Sequence, residues 1–101
     1  MKEEKIMTRV HSLKLDIEFC AAVYNGEKSF EIRQNDRGYQ TGDVIRFKAV
    51  KNGQPVDHPI NHATFDIAYV LNGWGLKNGF VALAIRKRGN GYDQPREANQ
   101  N

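Results

Sequence analysis

Four short stretches of this chain alternate apolar and polar residues, a fifth is a continuous apolar run, and only one further stretch recurs at helical spacing. Arg9–Leu15 sets His11, Leu13 and Leu15 on one face and Ser12 and Lys14 on the other. Ser29–Arg33 sets Phe30 and Ile32 on what reads as the core face, leaving Glu31 and Arg33 on the other. Val44–Val50 aligns Ile45, Phe47 and Ala49. Ala63–Leu71 aligns Phe65, Ile67, Tyr69 and Leu71, and Phe80–Ile85 is a final apolar strand. The exception is Asp16–Tyr24, where Ile17, Cys20, Ala21 and Tyr24 recur helically behind an Asp suited to the N-cap and ahead of Asn25-Gly26.

Turn-forming residues separate these segments, and Asn52-Gly53 reads as a tight turn. The order is strand, helix, then four strands, so a doubly wound parallel sheet is excluded. Short strands joined by Gly-rich turns predict an α+β, mostly β fold. The expected form is a closed or nearly closed small barrel that removes exposed edges, with the helix over one opening.

A chain of 101 residues holds one domain. Residues 1–8 read as a charged, frayed start and 9–88 as the domain. Residues 89–101, with Tyr92 as their only aromatic, read as a disordered tail. No apolar run approaches the ~18 residues of a membrane helix. Met1–Met7 is too charged for a secretory leader, and the single cysteine fits a reducing cytosol, so a cytoplasmic, monomeric protein is expected. Lysine and arginine exceed Asp and Glu by three, a balance compatible with a nucleic-acid partner but weak on its own.

Chemistry concentrates in Lys28, Glu31, Arg33, Asn35, Asp36 and Arg37. Arginine offers a planar fork that fits carboxylate or phosphate. A neighbouring Glu holds that fork or accepts from a base, and Asn reads a base edge. The alternative is a salt-bridge network, Glu31 with Arg33 or Lys28, in which Asp36 caps its own turn. His11 is either a hydrogen-bonded core residue or a ligand contact at a rim. Trp74, between two glycines, either stacks on a base or folds back over the core; Tyr24 and Tyr39 are weaker stacking candidates. No metal is expected: His58-x-x-x-His62 contains Pro59 and lacks a third ligand in pattern. Cys20 lies on the apolar helix face, where a thiol is a poor nucleophile, and no Gly-rich phosphate loop is present.

An ordered series runs through the chain: His11-Ser12-Leu13-Lys14, Gly26-Glu27-Lys28-Ser29-Phe30-Glu31-Ile32-Arg33-Gln34-Asn35-Asp36-Arg37, Gly42-Asp43, Tyr69-Val70-Leu71 and Gly79–Leu83. It resembles a family of small bacterial and phage proteins of unknown function, grouped with the ASCH domains of the PUA-like superfamily. The resemblance covers about Arg9 to Arg86. It implies a PUA-like mixed barrel of five to six strands with one or two short helices, and a ligand cleft between the first helix and the barrel near the G-x-K segment. ASCH and PUA-like domains are associated with RNA binding. RNA, a nucleoside or a nucleotide is therefore the expected partner, and no cofactor is expected. His11, Lys28, Glu31, Arg33, Asn35, Arg37 and Trp74 are the candidate ligand-binding residues. Replacing Arg33 is expected to weaken binding and leave the fold intact.

Two other functions stay open. Some small ASCH proteins look like amidohydrolases on acetylated cytidine, using the G-x-K lysine, a Thr three residues on and a distant Glu. Lys28 matches that lysine, but Glu31 stands at the Thr position; in an enzyme of this kind Lys28 and Glu31 would be the catalytic pair. The third reading is a protein-interaction module.

Overall fold

The computed structural model describes residues 8–89, so the expected frayed start and disordered tail lie outside the described residues but for Thr8 and Gly89. Six strands, one α-helix and one 3-10 turn follow in the order β1 (Val10–Asp16), α1 (Ile17–Tyr24), β2 (Phe30–Gln34), β3 (Val44–Lys51), β4 (Gln54–Pro55), the 3-10 turn Pro59–His62, β5 (Phe65–Asn72) and β6 (Phe80–Lys87). The mostly β, α+β expectation stands. Among the described residues no helix is long and apolar enough to cross a membrane.

The local signals act as anticipated at the helix. Asp16 accepts the Glu18 N–H at 3.1 Å, satisfying one of the orphan donors at the helix start. At the other end Gly26 takes φ +83°, a conformation that costs a side-chain-bearing residue, while its N–H and that of Lys28 satisfy the Val23 and Ala22 carbonyls. Asn52-Gly53 has positive φ at both residues and joins β3 to β4, as an Asn-Gly hairpin turn should.

The sheet runs β1-β3-β5-β6-β2, with β4 attached to β3. Pairing is parallel between β1 and β3 and antiparallel elsewhere. The expected barrel does not close. β1 and β2 end the sheet with no ladder between them, and β3 meets β5 at only two register positions, Val44–Asp66 and Ile45–Phe65. Side chains fill the gap between the two edges. Arg33 Nη2 donates to the Lys14 carbonyl at 2.8 Å and Arg37 Nη1 to the Ser12 carbonyl at 3.2 Å. A guanidinium inserted between strands holds them well beyond the roughly 4.8 Å of a backbone ladder. These two arginines blunt the exposed edge of β1 in place of a neighbouring strand.

Leu13, Leu15, Ile45, Phe47, Phe65, Ile67, Val81 and Leu83 fill the interior, covered by Cys20 and Val23 of α1 and by Ile60 of the 3-10 turn. Phe47 and Phe65 meet edge to face at 5.3 Å, a favoured aromatic geometry. Asn61 ties the long 51–62 connection down: its Oδ1 accepts from Ala49 N at 2.8 Å and its Nδ2 donates to the Val56 carbonyl at 2.9 Å.

Three facing assignments differ from the alternation. In β2 the apolar residues face out: Phe30 and Ile32 are 48% and 51% exposed, while Glu31 is buried. Lys28 and Arg33 neutralise Glu31 from either side, so the interior accepts a carboxylate there. In β5 a bulge falls between Ile67, opposite Ile85, and Tyr69, opposite Ala84. One extra residue inverts the alternation, so Tyr69 is 62% exposed and Val70 packs against the core instead. In α1 Ala21 is exposed and Val23 takes the buried position.

Candidate functional site

The candidate site is built from the turn after α1 and from β2. Gly26 reverses the chain so that Lys28 returns over the start of β2. Lys28 Nζ donates to the Phe30 carbonyl at 2.9 Å and to Glu31 Oε1 at 3.0 Å. Glu31 Oε2 accepts from Arg33 Nε at 2.9 Å and lies 2.7 Å from Nη2, which also reaches the Lys14 carbonyl. The Glu31 side chain is 6% exposed, and those of Lys28 and Arg33 are 22% and 25% exposed. The salt-bridge alternative is therefore what forms, with Glu31 serving both cations. Two positive groups share one negative one, and the excess charge sits at the surface.

A groove of about 230 Å³ opens over this network, lined by Phe19, Lys28, Phe30, Glu31 and Ile32. The Lys28 ammonium lies 4.6 Å from the Phe30 ring centre and 5.4 Å from that of Phe19, so aromatic faces and a cation share the opening. Phe19 was not legible as a site residue. It sits beside the helix's apolar stripe, and only the fold brings its ring to Lys28.

The remaining candidate residues lie elsewhere. Arg37 joins the β1–β2 gap through Ser12. Asn35 follows β2 and closes its own turn: Oδ1 accepts the Tyr39 N–H at 3.1 Å, the capping role expected of Asp36. Asn35 also lines a depression of about 520 Å³ with Asn72, Leu76, Lys77 and Phe80, beneath the β5–β6 loop. Trp74 stands on that loop 89% exposed with φ +54°, so it does not fold over the core. Trp74→Ala is expected to change unfolding free energy by less than about 0.5 kcal/mol in urea denaturation.

His11 is buried and Nε2 lies 2.8 Å from Asp43 Oδ2, with its ring edge on Tyr39 at 4.7 Å. The core reading of His11 holds. Tyr39 is buried and leaves the set of stacking candidates, and Lys87 Nζ covers the Tyr24 ring at 3.7 Å. Burial pushes the Asp43 carboxyl up. Hydrogen bonds from His11, the Gln40 N–H and the Arg9 N–H, with the His11 charge, outweigh this and hold it below the ordinary carboxylate value. Burial pushes the Cys20 thiol up, aided by the charges of Asp16 and Glu31, which makes it a weak nucleophile. Burial likewise raises Tyr39 against the lowering pull of Arg37 and Arg33. His58 Nδ1 accepts the Ile60 N–H and starts the 3-10 turn. Among the described residues no three His, Cys, Asp or Glu side chains cluster as metal ligands.

A search of curated proteins found no match to this sequence. Residues 10–85 match the profile of a family described as a domain of unknown function, DUF3850. That span takes in β1, α1, β2 and the whole Lys28–Glu31–Arg33 network, and the chain belongs to the DUF3850 family.

Proposed function

We propose that this chain is a small cytoplasmic RNA- or nucleotide-binding domain of the ASCH/PUA-like kind, with its ligand in the groove beside Gly26–Arg37. The observation that carries the reading is the Lys28–Glu31–Arg33 network beneath that groove. Glu31 holds both cations in fixed geometry and cancels only one of their charges. After its two bonds Lys28 keeps one N–H for a ligand, and Arg33 keeps Nη1. Prepositioned donors suit phosphate, and the Phe19 and Phe30 faces suit a base. The ASCH-like kinship rests on the G-x-K-x-x-E-x-R stretch, whose Lys, Glu and Arg are the network itself.

Binding is favoured over amide hydrolysis by the state of Glu31. A general base needs a lone pair open to water, and the Glu31 side chain is only 6% exposed with each oxygen engaged by a cation. Lys28→Gln tests the reading because it removes the charge while leaving Arg33 on Glu31. Affinity for a short single-stranded RNA, followed by fluorescence anisotropy, is expected to fall about tenfold, and the salt slope by about one unit. An unchanged affinity and slope, or no binding by the parent chain at low salt, overturns it.

A further inference from the structure

The solvent face of β2, β6 and β5 carries apolar side chains that the core does not use. Residues directly opposite in register share a face of the sheet. Phe30 lies opposite Ala84, and Ala84 opposite Tyr69; in the next row Ile32 lies opposite Ala82, and Ala82 opposite Leu71. Val81, Leu83 and Ile85 point the other way, into the core. Isolated exposed apolar residues are ordinary, but two aligned rows across three strands form a patch that calls for a partner.

The bulge in β5 builds this patch. An unbroken strand would turn Tyr69 inward with Phe65 and Ile67; the extra residue sets it outside, two strands from Phe30. Across two strand spacings the Phe30 and Tyr69 backbones stand about 10 Å apart. The methyl group of Ala84 lies between them, so the two rings flank a shallow trough.

The charge around the patch selects among occupants. Lys28 Nζ sits over Phe30, Lys77 Nζ lies 5.7 Å from the Phe80 ring centre, and Arg86 follows Ala84 on the same face of β6. Asp66, opposite Arg86, is the only carboxylate these three strands place on this face, and Arg88 holds it at 2.8 Å. A second copy of the chain would press this basic rim onto its own equivalent. A polyanion with planar, stackable groups complements both the rings and the rim.

We propose that the β2–β6–β5 face is a base-stacking platform for single-stranded RNA, continuous with the groove through Lys28. The proposal rests on the binding reading above and extends it from one nucleotide to a strand with unpaired bases. Phe30 and Tyr69 each take a base, and Lys28, Lys77 and Arg86 meet the backbone.

The test measures anisotropy of a labelled octauridylate, its abasic counterpart of equal length and an eight-base-pair RNA duplex, with the parent chain, Tyr69→Ala and Tyr69→Phe. The parent chain is expected to bind octauridylate at least tenfold tighter than the abasic strand. Tyr69→Ala is expected to lose about tenfold on octauridylate with an unchanged salt slope, and Tyr69→Phe to regain it. Equal binding of the abasic strand or of the duplex overturns the platform and leaves the phosphate-binding groove standing. No binding of any probe overturns both. A concentration-dependent dimer that Tyr69→Ala dissolves, with octauridylate affinity unchanged, assigns the face to a second copy and overturns the proposal.

Discussion

Arg33→Ala is expected to lower the unfolding free energy by about 3 kcal/mol, far more than a surface arginine would. Its guanidinium does two structural jobs. It holds Oε2 of the buried Glu31, and it bonds the Lys14 carbonyl across the gap where the sheet fails to close. Removing it leaves a carboxylate that is only 6% exposed with Lys28 alone, and frees an edge carbonyl of β1. Most of the penalty is the unpaired charge, so the double variant Arg33→Ala with Glu31→Gln is expected to recover at least about 1 kcal/mol. Urea denaturation of the parent chain, both single variants and the double variant checks this. A loss below about 0.5 kcal/mol would make the bridge an ordinary surface pair. Through these bonds Arg33 belongs to the scaffold of the site as well as to its surface.

This difference marks where the sequence stops being sufficient. Alternation in four stretches and an apolar run in the fifth located all five main strands within a residue or two, because such patterning is local and is strong in β1 and β3. It could not say which face of β2 turns inward. Hydrophobicity favours Phe30 and Ile32, whereas the fold buries Glu31, because Arg33 of the same strand and Lys28 of the preceding turn neutralise it. Likewise, no residue of Phe65–Leu71 advertises the bulge that turns Tyr69 outward. The Lys28, Glu31 and Arg33 cluster was legible as chemistry, since its members lie within six residues of one another. The cross-sheet bonds to Ser12 and Lys14, and the ring of Phe19, depend on tertiary placement and left no local signal.

Asp43 is expected to be the second most costly position. Its side chain is 3% exposed and accepts from His11 Nε2 at 2.8 Å, Gln40 N at 3.1 Å and Arg9 N at 3.4 Å. These bonds pin the start of β3 to β1 at the parallel pairing of Val10 with Val44. Asp43→Ala removes them together and is expected to cost about 3 kcal/mol at neutral pH. The effect depends on pH in a defined direction. The folded carboxyl is held below its ordinary value, so the folded state binds this proton less readily than the unfolded chain does. The stabilisation is therefore fully present above the unfolded value of about 4, and is lost as pH falls through the lower folded value. The stability gap between the parent chain and Asp43→Asn, which cannot ionise, should narrow as pH falls below about 4, where the parent's carboxylate takes up its proton. A gap that widens as pH falls below about 4 would contradict the assignment of Asp43 as a stabilising anion.

The most direct test of the binding account is an amide-shift titration of the isotope-labelled chain with a short single-stranded RNA, at low and at physiological salt. The account predicts shifts at Lys28–Arg33 and at Tyr69, Ala82 and Ala84, which shrink as salt rises because phosphate contacts release counterions. No shifts at either salt, or shifts confined to residues away from the groove and the β2–β6–β5 face, would contradict it.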